Sequence, residues 1–186
     1  DIRMQHLGQV ISRLPSIPAG VAGDFAFADW SYGAIRILLA GPFNGLLRQS
    51  FENGAGSSTT VVIGTNTAAP GLASYLFKTL AVRRVMFVVA NAAELRRDDM
   101  PVLDEVEAVD FGRAIFVLLH TEAEGVSQSE KDLVKETWAE SNRLIVTLPS
   151  GLLLRCLNKL RRANRIFDYA ESAIEKRITS FLKMAG

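Results

Sequence analysis

The chain has 186 residues, 48% hydrophobic and 22% charged, with a formal net charge of +1; this is the profile of one globular domain, not of a disordered, collagenous or coiled-coil chain. Cys156 is the single cysteine, which excludes an internal disulfide framework and a thiolate-rich zinc site. No apolar run reaches the ~18–20 residues of a membrane-spanning helix, so a soluble protein of a reducing compartment is expected.

Met4, Leu7, Val10, Ile11 and Leu14 recur with helical spacing and predict a helix from Ile2 to Leu14, stopped by Pro15 and Pro18. Asp24 to Asp29 alternates apolar and polar residues like an edge strand. Residues 1–30 are therefore expected as an N-terminal extension to a domain over 31–186. Within that domain five nearly continuous apolar runs read as strands: Ile35–Ala40, Thr60–Ile63, Val85–Ala90, Ala114–Leu119 and Leu144–Leu148. Such runs suit strands covered on both faces.

Helical patterns lie between them. Leu46, Leu47, Ser50 and Phe51 form one stripe, and Leu72, Leu76 and Leu80 follow Pro70 at four-residue spacing. Asp98, Asp99 and Pro101 precede Val102, Val106 and Val109 as a helix start, and Ser127 with Glu130 forms a capping box before Val134 and Trp138. Leu152 to Met184 reads as one long helix or two, broken near Asp168. Alternating strands and helices predict an α/β fold, a three-layer α/β sandwich with a mostly parallel sheet.

Ligands of such folds sit at the carboxyl ends of strands. The run Ile35–Ala40 leads into Gly41, Pro42, Phe43, Asn44, Gly45, Leu46 and Leu47, a strand–glycine loop–helix where a phosphate-binding loop would stand. A working loop reads G-x-x-x-x-G-K-[ST], its lysine offsetting phosphate charge and its hydroxyl ligating Mg²⁺. Here only three residues separate the glycines, and two leucines replace lysine and hydroxyl; leucine offers a hard cation nothing. Gly64–Thr67 lacks the aspartate of a γ-phosphate sensor, His120–Ala123 lacks a guanine-reading Asn-Lys-x-Asp, and Leu148–Gly151 keeps only a serine of the last loop. Four depleted loops predict no nucleotide, no metal cofactor and no hydrolysis by the usual route, the alternative being an atypical P-loop nucleotide hydrolase that uses the backbone amides of Gly41 to Gly45.

Other chemistry is thin. His6 and His120 are too few for a His-rich metal site. Ser150 sits in no nucleophile elbow, and Cys156, on an apolar helical stretch, is expected as a core thiol. Acidic residues dominate from Glu94 to Glu140, whereas the chain from Leu152 onward is basic. Lys159, Arg161, Arg162 and Arg165 form a candidate basic patch, able to touch a nucleic-acid backbone in a salt-sensitive way.

Taken in order, the P-loop-like turn, the strands and the C-terminal helices resemble Ras-like small GTPases stripped of their nucleotide residues. More narrowly the chain is similar to the centromere protein M family of pseudo-GTPases. That likeness rests on Ile37–Gly41, Leu46–Gln49, Val85–Asn91, Val109–Gly112, Leu119 with Thr121, Ser127 with Ser129, Leu144-Ile145, and Arg155 with Arg162 and Ile166. The resemblance implies a small-GTPase-like fold and a non-catalytic subunit of the inner kinetochore, in the nucleus, binding the helical-repeat centromere protein I together with centromere proteins H and K. Such a role calls for exposed apolar surface, with Phe111, Ile174, Ile178 and Phe181 as candidate interface residues.

Overall fold

The computed structural model describes residues 2–52, 58–97, 111–162 and 167–186. Helices α1 (Ile2–Arg13) and α2 (Asp24–Leu38) lead into strands β1 (Phe43–Glu52) and β2 (Ser58–Asn66). Helix α3 (Leu72–Leu80), β3 (Arg84–Ala90) and β4 (Ala114–Leu119) follow. Helix α4 (Gln128–Ser141), β5 (Leu144–Pro149), α5 (Ser150–Arg162) and α6 (Phe167–Ala185) complete the order. The expected helix over Asp98–Val109 and the basic residue Arg165 lie outside the described residues.

The chain is an α/β protein built on a five-stranded mixed sheet in the order β1-β2-β3-β4-β5. The expectation of a mostly parallel sheet is corrected. β1–β2 and β2–β3 are antiparallel, with Val62 opposite Phe87, and only β3–β4 and β4–β5 are parallel, with Val88 opposite Val117 and Ile115 opposite Ile145. Apolar side chains fill both faces. Val62, Phe87, Phe116 and Val146 join a core with α1, α2, α3, α5 and α6, while Val61, Met86, Ile115 and Ile145 form a second core beneath Leu95, Phe111 and Leu133.

Two further corrections concern the start of the domain. Asp24–Asp29 is not a strand, nor is Ile35–Ala40; both belong to α2 or the turn after it. Phe27, Trp30, Ala34, Ile35 and Leu38 are buried at helical spacing, so the run Ile35–Leu39 is the last turn and the exit of a helical stripe that begins at Phe27. Conversely Leu46–Phe51 lies in a strand, with Leu47–Phe51 paired residue by residue with Thr59–Ile63 after a bulge between Asn44 and Leu47. Gly45, at φ +61°, sits within that bulge, where a left-handed residue suits glycine. The strand–glycine loop–helix is therefore a helix–turn–strand.

Helix α1 and the first half of α2 share the first core. Leu7, Val10 and Leu14 are buried in it, and the Trp30 indole N–H donates to the Val10 carbonyl at 2.7 Å. Of the expected capping box one half is present, the Ser127 hydroxyl accepting from the Glu130 N–H at 3.3 Å, while the Glu130 carboxylate takes a backbone hydrogen bond from Leu95. The C-terminal segment is two helices. The Glu171 carboxylate of α6 accepts from the Leu72 N–H at 3.2 Å at the start of α3, and Tyr75 and Thr179 pair their hydroxyls at 3.1 Å.

At its other end α3 closes through Gly112. The Arg113 N–H donates to the Leu80 carbonyl at 2.8 Å. Gly112 holds φ +66°, and a Cβ there would lie 2.5 Å from the Ala81 carbonyl oxygen. Both the left-handed backbone and the close approach exclude a side chain. Gly112→Ala is expected to cost about 1–3 kcal/mol of stability, read as a lowered urea midpoint; an unchanged midpoint would mean that this junction tolerates a methyl group.

Candidate functional site

The glycine loop holds nothing open for a phosphate. Gly41 and Pro42 form a turn whose Pro42 carbonyl accepts from the Thr67 N–H and hydroxyl, each at 3.0 Å. Phe43 is buried edge-on against Phe87, with ring centroids 6.0 Å apart. Asn44 and Gly45 are exposed, Leu46 is half-buried and Leu47 is exposed on the edge strand.

The carboxyl ends of the parallel strands are the next place to look, and the chain closes them with its own polar groups. Asn91, just after β3, accepts from His120 Nδ1 at 2.6 Å. Its amide N–H₂ donates to the Gly20 carbonyl at 2.7 Å and to Asp24 Oδ1 at 3.1 Å. The His120 ring stacks on Phe27 at 4.6 Å between centroids. Ser150, after β5, accepts from the Thr121 N–H at 3.0 Å, and Gly151 is so close to Glu122 that a Cβ would meet its carbonyl oxygen at 2.3 Å. The segment between α1 and α2 thus straps over the ends of β3 and β4.

Burial lowers the pKa of His120 below its ordinary 6.5, because a buried imidazolium is poorly solvated. The unfolded chain then takes up the proton first as pH falls, so stability drops below about pH 6.5 and is full above it. The urea midpoint of the wild type is expected to fall from pH 7.5 to pH 5.5 by more than that of His120→Gln. Parallel pH profiles for the two proteins would remove His120 from the account.

Concave surface lies along α5 and α6. A cleft of about 630 Å³ opens between the loop after β4 and helices α4, α5 and α6. Lys131, Arg155, Lys176 and Arg177 reach it, against one carboxylate, Glu124. Two shallower depressions adjoin it. One of about 340 Å³ shares Arg155 and carries Lys159 and Arg162; the other, of about 460 Å³, shares Lys176 and carries Lys183 and Glu175.

Two of these cations do structural work. Arg155 grips Glu124 with two bonds, at 2.7 and 3.1 Å, and also donates to the Tyr169 hydroxyl. That pairing, more than burial opposes it, lowers the pKa of the Glu124 carboxyl. Arg177 donates to the Thr147 carbonyl on β5, to the Thr147 hydroxyl at 3.0 Å and to the Glu124 carbonyl at 2.9 Å. Burial lowers its own pKa. Lys131, Arg162, Lys176 and Lys183 have no ion-pair partner among the described residues.

Of the residues singled out from sequence, Lys159, Arg161 and Arg162 are exposed on α5. Arg155, Lys159 and Arg162 fall four and three residues apart, on one face. Phe111, Ile174, Ile178 and Phe181 are buried within the chain's own cores, so they present no surface to a partner. Cys156 is buried too, its thiol pushed up to about 11 by desolvation. Sequence reasoning missed Glu124, Lys131, Lys176 and Arg177 as a group; the seven-residue spacing of Lys176 and Lys183, with Ser172, Thr179 and Ser180 beside them, was the available signal.

The chain is 30% identical over 166 residues, 88% of its length, to a putative transposon gamma-delta 80.3 kDa protein of Escherichia coli strain K12. It spans 23% of that relative's length. No family model matches the chain, and no solved structure matches it.

Proposed function

We propose that this chain is a non-catalytic module that binds the phosphate backbone of a nucleic acid through α5 and α6. The observation that carries the reading is the convergence of Lys131, Arg155, Lys159, Arg162, Lys176, Arg177 and Lys183 on three adjoining concavities that hold two carboxylates, Glu124 and Glu175. A surface of that sign neutralises phosphates and releases their counterions. The net charge of +1 does not oppose it, because the acids fall largely elsewhere in the sequence. Along α5, seven residues from Arg155 to Arg162 advance about 10 Å, roughly three steps of a B-form strand. The relative is named for a transposon, which makes DNA the polyanion to try first.

A second reading is the interaction subunit that the pseudo-GTPase resemblance implies, a protein-binding wedge for a helical-repeat partner. What favours it is the apolar pair Val21 and Phe25, 88% and 75% exposed just before α2 and in its first turn. Those residues are distinct from the cations of α5 and α6, so the two readings predict different contact surfaces.

The first reading is tested by DNA affinity against salt. Binding is expected at about 50 mM salt and is expected to weaken steeply by about 200 mM, with little sequence preference. Arg162→Gln should reduce the slope of log affinity on log salt by about 1. Absence of binding at low salt, or a slope unmoved by that substitution, would overturn the reading.

A further inference from the structure

The cleft between α4, α5 and α6 differs from the two depressions beside it, and the difference says what it takes. A backbone track needs only cations. This cleft also has an apolar wall, where Val126, Ala173 and Met184 are half-buried and so offer surface to a guest. Its volume of about 630 Å³ falls within the roughly 300–1,000 Å³ of small-molecule sites.

The polar side is as uneven as the apolar one. Lys131 enters from α4 and Lys176 from α6, and neither ammonium has a hydrogen-bond or ion-pair partner among the described residues. Ser172 and Ser180 stand four residues before and after Lys176, on the same helix face, and both line the cleft. The one carboxylate present, Glu124, is spent on Arg155. Two unpaired ammonium groups with flanking hydroxyls match a dianion, and a phosphate monoester carries about −1.5 to −2 charges at neutral pH. A phosphodiester carries one.

We propose that this cleft seats a phosphomonoester with an apolar or aromatic body, either the 5′-phosphorylated end of a nucleic-acid strand or a free mononucleotide. The phosphate lies between Lys131 and Lys176 with the seryl hydroxyls donating to it, and the sugar and base lie along Val126, Ala173 and Met184. The proposal rests on the backbone-binding reading and narrows it. On this account the surface that tracks a strand also recognises where the strand ends.

The test uses the whole chain and one short single strand, made with a 5′-phosphate and with a 5′-hydroxyl, in fluorescence anisotropy. The phosphorylated strand is expected to bind about tenfold more tightly, charge-assisted bonds to a dianion being the strong ones. Lys131→Gln is expected to erase that preference, weakening the phosphorylated strand about tenfold more than the 5′-hydroxyl strand; Arg162→Gln is expected to weaken both strands equally and keep the preference. Competition by AMP against the phosphorylated strand assigns the free nucleotide as a ligand, and failure of AMP to compete restricts the site to strand ends. Equal affinity for the two strands in the wild type would overturn the proposal while leaving backbone binding intact. If neither strand binds at low salt the backbone reading falls, and titration calorimetry with AMP alone then decides the cleft: heat abolished by Lys131→Gln supports it, and no heat overturns it.

Discussion

The Arg177 guanidinium is the fastening on which the C-terminal half depends. It donates to the Thr147 carbonyl and hydroxyl on β5, the last strand of the sheet, and to the Glu124 carbonyl in the loop after β4. It also lies over the Phe181 ring, 5.1 Å from the centroid. One side chain therefore ties α6, an edge strand and a loop into one unit. A planar fork with five donors can do this where a lysine cannot. Taking the charge out of water is costly, and the bonds it makes to otherwise unsatisfied oxygens offset that cost. Because Arg177 takes the backbone of Glu124, the carboxylate of that residue is free to pair with Arg155. The result is a cleft in which the only acid among the described lining residues is already neutralised.

That arrangement turns attention away from the ends of the parallel strands, the usual site in an α/β fold. There Asn91, His120, Thr121 and Ser150 satisfy one another or the strap between α1 and α2. A ligand entering would have to displace bonds of about 2.6–3.1 Å and the stacked Phe27 ring. The polar groups of that edge hold the N-terminal helices on the sheet. Those of the α5–α6 surface, in contrast, include cations with no ion-pair partner among the described residues.

Much of the sheet was legible in the sequence because β2 to β5 are apolar on both faces, and a buried strand leaves a continuous run whatever its neighbours. Pairing direction was not legible: nothing in Thr60–Ile63 or Val85–Ala90 says that β2 and β3 run antiparallel. The start of the domain failed for a sharper reason. Ile35–Leu39 is a short apolar run that suits a strand or a helix end equally, and only the buried residues back to Phe27 reveal the longer period. With that strand gone, the glycine loop lost its place too. As for the surface, the α5 cations were visible because they share one helix, while Glu124, Lys131 and Arg177 come from three elements and meet only through the fold. The candidate apolar interface failed because Ile174, Ile178 and Phe181 are the inward stripe of α6, and a stripe alone does not say which side faces water.

If the proposed function holds, contact with a nucleic acid occurs on α5, α6 and the loop through Glu124, and not at the strand ends or around Val21 and Phe25. Amide chemical-shift mapping during titration with a short DNA strand tests this most directly. The account predicts shifts concentrated between Glu124 and Lys131, between Gly151 and Arg162, and between Ser172 and Lys183. Shifts concentrated around Val21, Phe25, Asn91 and His120 would contradict it.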